Sequence, residues 1–287
     1  MEDVTKHNPS VSILDLSVRT ICLLIVAVMV TLSASAQCKV KNVAFAAGEN
    51  ISYDLYFDWG IIWKKVGYAN METKTSRSGG SGAYDIKLLA IGNKTADIIF
   101  RLRDTLMCTV SKDLEPIYYK KAAEEGDRYS IDEAWYTYNN GVTHVAQKRT
   151  RPGKNDLNTS YDDSRCVYDM LSIIARARNY DMSSFEKTQK IKLPLATGRK
   201  VEEVTMKYLG KDKVKGKDGN TYRCLGFSIV THDDKDNKDE ELLRFFVSDD
   251  RNHLPVRIDF SLKIGAAVAY LKSAKGTLYP FDSIIKK

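Results

Sequence analysis

Apolar and polar residues alternate with period two along most of this chain. Ile51, Tyr53, Leu55 and Phe57 alternate with Ser52, Asp54, Tyr56 and Asp58, and Val256, Ile258, Phe260 and Leu262 alternate with Arg257, Asp259, Ser261 and Lys263. That period belongs to sheets with one wet face. Further strands are expected over 66–73, 84–90 and 107–111, from 117, and over 128–138, 141–149, 190–196, 199–209, 221–231, 242–248, 255–263 and 266–274. The segments 149–160, 210–219 and 232–241 read as polar connections, the first of them between two halves meeting near 150–163. Asn139-Asn140-Gly141 supplies a tight hairpin turn, and Ser248 to Asn252 supplies another, because short Asx side chains bond nearby backbone. One helix is expected from Ser164 to Arg178, with Val167, Met170, Leu171, Ile174 and Ala175 on one face; a shorter one is expected at 183–187. The fold class this implies is mainly β: a curled antiparallel sheet or partly closed barrel with one or two covering helices.

One stretch breaks the alternation. Arg19 precedes an apolar run from Ile21 to Leu32, followed by Ala34-Ser35-Ala36, which is the pattern of an export signal cleaved near Ala36. The run is shorter than the roughly 18 to 20 residues of a spanning helix. The domain reading is therefore a signal over 1–36 and one β-rich domain over 37–287. Gln37 and Ser35 stand where a lipoprotein signal wants a small residue and a leucine, so Cys38 is not read as a lipidation site. The exported part keeps Cys38, Cys108, Cys166 and Cys224, an even number suited to an oxidising compartment, with three complete pairings open. The net charge of +7 is scattered along strands, which suits a solvated sheet face and leaves no footprint for nucleic acid.

Catalytic signatures are missing. His144, His232 and His253 have no metal-ligand spacing, and the acidic run Asp233–Glu241 has Asp239 where a calcium loop needs glycine. No cofactor motif occurs. Asp249, Asp250 and His253 form the densest polar cluster, which an envelope hydrolase could use, although neighbours in extended structure face opposite ways. The candidate binding residues are Tyr53, Phe57, Trp59, Ile61, Ile62 and Trp63. They would form the rim or lining of an apolar site for a lipid, an acylated molecule or an envelope partner.

Three stretches together carry a resemblance. These are Gly48-Glu49 with Tyr53, Trp59 to Trp63 and Gly67; Val167-Tyr168-Asp169-Met170-Leu171-Ser172 with Arg176; and Tyr208-Leu209-Gly210 through Gly219, Tyr222 and Cys224 to Val247-Ser248-Asp249-Asp250, Pro255-Val256, Gly265 and Leu271. In their order the chain resembles exported bacterial proteins of the domain-of-unknown-function 3108 family, in its Bacteroides-type form. Phe246 stands where that family often has tryptophan. The resemblance implies a Gram-negative periplasm or outer envelope and no catalytic residues. The strand-rich pattern is also similar to the half-barrels of lipoprotein carriers and acceptors, a likeness of fold alone.

Overall fold

In a computed structural model, residues 38–287 are described except 60–61, 98–99, 234–237, 262–264 and 286–287, and they form one compact unit. The proposed leader, Ile61, and Leu262 and Lys263 at the end of one expected strand lie outside the described residues. The first eight strands are β1 (Asn50–Trp59), β2 (Ile62–Thr75), β3 (Tyr84–Gly92), β4 (Leu102–Val110), β5 (Pro116–Glu125), β6 (Arg128–Asn139), β7 (Val142–Thr150) and β8 (Leu157–Asp163). The second series is β9 (Lys190–Ala196), β10 (Val201–Lys215), β11 (Thr221–Asp233), β12 (Lys238–Ser248), β13 (Pro255–Ser261) and β14 (Ala266–Lys275). A two-residue β15 (Ile284–Ile285) pairs with β11.

Each series is an antiparallel meander, and the two are joined where β1 pairs with β14, Tyr53 opposite Leu271. The halves therefore share one sheet, whose order runs from β8 through β1 and β14 to β9. β10 extends six residues further than the sequence pattern predicts, and β8 occupies part of the segment read as a loop. Both are charged strands, in which the apolar signal of the period is thin; β12 likewise begins at Lys238, inside the segment read as a polar connection, and β4 begins at Leu102, ahead of the expected start.

The sheet curls until its edges meet, but the backbone ladder does not close. Side chains bridge the seam instead. Gly198 donates its N–H to Gln147 Oε1 at 2.9 Å, Arg149 donates to Thr197 O at 3.2 Å, and Thr159 donates to Arg199 O at 3.1 Å. Gly198 has φ +78°, and a Cβ there would collide with Asp132, so the approach requires glycine.

Residues 164–189 cross from one edge to the other. The expected long helix shrinks to α2 (Ser172–Ala177), preceded in the chain by a single turn, α1 (Lys94–Asp97). Upstream of α2 the chain is extended, because Tyr168 pairs in parallel with Leu195. Tertiary pairing there overrides the helical spacing. Asp169 takes over the start of the helix: its Oδ1 accepts from the N–H groups of Leu171 and Ser172, both at 2.9 Å. A 3-10 turn at Met182–Ser184 replaces the second expected helix.

The segment fills the concave face. Val167, Leu171 and Ala175 pack with Ile51, Tyr53, Tyr119, Tyr136 and Val145, while Cys166, Tyr168 and Met182 pack with Val204, Leu225 and Phe227. Cys38 and Cys166 form a disulfide, and Cys108 and Cys224 are buried thiols. Further along the concave face the lining turns charged: Lys121 lies 2.7 Å from Glu125 and 3.6 Å from Asp104, and Arg149 grips Asp132. Burial pushes the Asp104 carboxyl up to about 7, with Lys121 opposing.

At the other end sits a buried ion pair. Arg178, 3% exposed, donates to both oxygens of Glu49 at 2.6 and 2.8 Å, to Asn252 O at 3.0 Å and to Ala44 O at 3.4 Å. Its guanidinium also lies 5.1 Å from the centre of the Phe45 ring. Removing one partner of such a pair strands the other charge and costs about 3–5 kcal/mol. Urea titration of Arg178→Met is expected to show that loss, and Glu49→Gln in the same background to recover part of it.

Asp169 yields a pH prediction. Burial pushes its carboxyl up to about 6 against the hydrogen bonds from Ser172 and Leu171. The folded state thus holds a proton that the unfolded chain, with a pKa near about 3.9, has released. Stability from this group falls as pH rises from about 4 to about 6 and is level above that. Asp169→Asn keeps the Oδ1 acceptor and removes the charge. The melting-temperature difference between D169N and the parent is expected to grow across that interval in favour of asparagine.

Candidate functional site

Period two puts Tyr56 on the face opposite Tyr53, Leu55 and Phe57. Strand register brings two more aromatics to that outer face, since Trp63 pairs with Asp58 and Tyr270 with Asp54. Tyr56 and Trp63 stack at 5.3 Å, and Tyr270 meets Tyr56 edge-on at 5.8 Å. Over these three rings sits a cation from the far half of the chain. The turn joining β10 to β11, closed by a Gly216 N–H to Asn220 O bond of 2.8 Å, carries Lys217. Its ammonium lies 4.7 Å from the Trp63 ring centre, 5.2 Å from Tyr270 and 5.4 Å from Tyr56. Arg257 approaches Tyr270 from another side at 5.3 Å. Burial raises the Tyr270 hydroxyl pKa, and Arg257 opposes that rise.

Beside this cage lies a groove of about 530 Å³. Phe246, Val214 and Tyr270 supply apolar wall, and Lys213, Lys215, Lys217 and Arg257 supply cations against a single lining carboxylate, Asp212. Arg257 is paired with Asp259 at 2.7 Å. Asp218, on the turn itself, is occupied by the Tyr222 hydroxyl and by Asn220. A ring quadrupole attracts a cation without cancelling its charge, so the cage fixes Lys217 and leaves it able to attract an anion. Such a surface can hold an amphipathic molecule by its flat or apolar part and its negative group.

The sequence-predicted residues divide between the two faces. Tyr53 is core, 4% exposed, its hydroxyl pKa raised by burial, and Phe57 is half-buried on the same concave side. Trp63 is 41% exposed on the outer face. Trp59 and Ile62 pair through their backbones where β1 meets β2, and their side chains lie outside the described residues. Sequence reading missed Tyr56, Tyr270, Arg257 and Lys217. Tyr56 looked like one more polar-face residue, and no local signal connects Lys217 with Trp63, which lies 154 positions earlier in the chain.

The polar cluster has structural duties. Asp250 Oδ1 accepts from the Asn252 N–H and the Ser248 hydroxyl, Asp249 pairs with Lys211 at 3.1 Å, and His253 Nδ1 lies 2.8 Å from Arg178 O. The three side chains converge on no common point of chemistry. In the acidic run, 234–237 lie outside the described residues, and Asp239 pairs with Lys207 at 2.6 Å. Among the described residues, no three His, Cys, Asp or Glu side chains are placed to hold a metal ion, and no helix is long and apolar enough to cross a membrane.

If Lys217 is held by its rings, Lys217→Gln should cost about 0.5–2 kcal/mol in urea unfolding. Trp63→Ala in that background should add less than it does in the parent, since the two residues share one interaction.

No curated protein matches the chain. Among solved structures it is similar to a β-barrel-like protein of domain of unknown function DUF1849 from Brucella abortus, at 12% identity and a TM-score of 0.52, with 86% of this chain and 100% of that one covered. It is also similar to a protein with a YmcC-like fold from Bacteroides fragilis, at 9% identity and a TM-score of 0.32, covering 83% and 99%. The model of the family of proteins of unknown function DUF3108 matches residues 52–272, from β1 to β14 and thus across both halves of the sheet, and this chain belongs to that family.

Proposed function

We propose that this chain is an exported, non-enzymatic binding protein of the cell envelope, and that it takes an amphipathic ligand on the outer sheet face at Trp63. The observation that carries this reading is the three-ring cage beside a basic, apolar-walled groove. Export is supported by the apolar run and small-residue motif before Gln37 and by the Cys38–Cys166 disulfide, a bond suited to an oxidising compartment. The filled concave face argues against an acyl chain inside the curl. It also favours the second reading, a structural or assembly factor with no small ligand.

Native mass spectrometry of the protein isolated gently from a bacterial envelope, followed by organic extraction, separates the two. A stoichiometric amphiphile supports binding, and empty folded protein supports the assembly role. Trp59→Ala combined with Trp63→Ala is expected to lower ligand retention at least about tenfold, as for aromatic hot spots, with the circular dichroism spectrum unchanged. Loss of the folded spectrum would instead make these residues part of the packing.

A further inference from the structure

The rings at Trp63 narrow the ligand further, on the binding reading just proposed. Tyr56 and Trp63 lie nearly parallel, 16° apart, and Tyr270 stands across them at 89° and 75°. The corner they form holds a cation within about 6 Å of all three ring centres, the range over which a ring quadrupole attracts positive charge. Tyr270 is only 6% exposed although it belongs to the outer face, because Lys217 and Arg257 lie over it. Arg257 is tied to Asp259. Lys217 is exposed, and among the described residues its ammonium has rings for partners and no carboxylate or carbonyl. Ring faces offer no lone pairs to the three N–H donors of an ammonium, and a primary ammonium is strongly hydrated, so it sheds water to sit there. A quaternary ammonium has no N–H to satisfy and brings methyl groups that bury against the rings. The corner therefore suits such a group better than the lysine that fills it. Asp58, two residues from Tyr56 on the same face of β1, forms no ion pair among the described residues, and its charge reaches Tyr270. A counter-charge thus stays beside the rings when Lys217 leaves.

We infer that this ring corner receives the quaternary ammonium head of an amphiphile, and that Lys217 is its removable occupant. The lysine leaves the rings as the ligand's head takes its place, and Phe246 in the groove wall meets the apolar body. Until then Lys217 keeps the aromatic surface covered. Being part of the same chain, it competes at a high effective concentration. The ligand's apparent affinity is lowered by the fraction of molecules in which the corner is closed.

Calorimetric titration of the whole protein with n-decylphosphocholine and n-decylphosphoethanolamine, each below its micelle concentration, tests this, because the two zwitterions differ only in the methyl groups on nitrogen. Decylphosphocholine is expected to bind at least about fivefold more tightly, the scale of a cation held over several rings. Trp63→Leu, which keeps an apolar side chain and removes the ring, should bring the two compounds together, with the circular dichroism spectrum unchanged. Lys217→Gln should tighten decylphosphocholine about threefold or more, since the competitor is gone. Equal binding of the two compounds by the parent would overturn the quaternary head while leaving the amphipathic reading standing. Decylphosphocholine binding to K217Q no more tightly than to the parent would overturn the displacement. Binding of neither compound, by the parent or by K217Q, would overturn both the inference and the reading it rests on.

Discussion

The buried pair of Glu49 and Arg178 is the constraint on which the rest of the curl depends. A sheet that bends round without closing its ladder has open ends, and this end is held by a charge. Taking a guanidinium and a carboxylate out of water costs several kcal/mol per ion, so the arrangement is favourable only because nearly every donor is used. Two N–H groups go to Glu49, and others to the carbonyls of Asn252 and Ala44. The cluster thereby ties three separate places together: the strap before β1, Arg178 itself just after α2, and the turn between β12 and β13. Asn252 passes the constraint on through its side chain, which bonds the backbone of Tyr279 and Pro280. One guanidinium thus fixes both ends of the β-sheet chain against the crossing segment.

Holding that segment in place has a functional corollary. Val167, Leu171 and Ala175 occupy concave space that a curled sheet could have offered to a ligand. What stays open is the outer face, where long β10 and β11 carry a basic turn over aromatics contributed by β1, β2 and β14. The same alternation that buries Tyr53 presents Tyr56, and the same register that seats Leu271 presents Tyr270.

How much of this was legible in the sequence follows from the range of the forces involved. Period two is local, so the strands around Ile51 and Val256 could be read directly, as could the Asx turn at Ser248–Asn252. Segments with other local signals went astray for physical reasons. Residues 164–171 carry a helical spacing yet stay out of the helix, because Tyr168 gains backbone partners in Pro194 and Ala196 that a helix could not give it. β8 lies at a sheet edge with most of its side chains in water, so it has little apolar alternation to betray it. Within the candidate site, Trp63 stood out as an aromatic near other aromatics, whereas Lys217 became meaningful only through a register that runs across six strands. The pairing of Cys38 with Cys166 was one of three open choices, and only the fold selects it.

The joining of β1 to β14 also bears on how such a chain reaches its native state. β1 is made before every other described strand, and one of its edges has no partner until β14 follows, more than 200 residues later. For that interval Tyr53, Leu55 and Phe57 stand on a strand with bare N–H and C=O groups, the kind of edge that recruits other chains. The molecule is therefore most vulnerable while it is being made, and the last long strand acts as its closing zip.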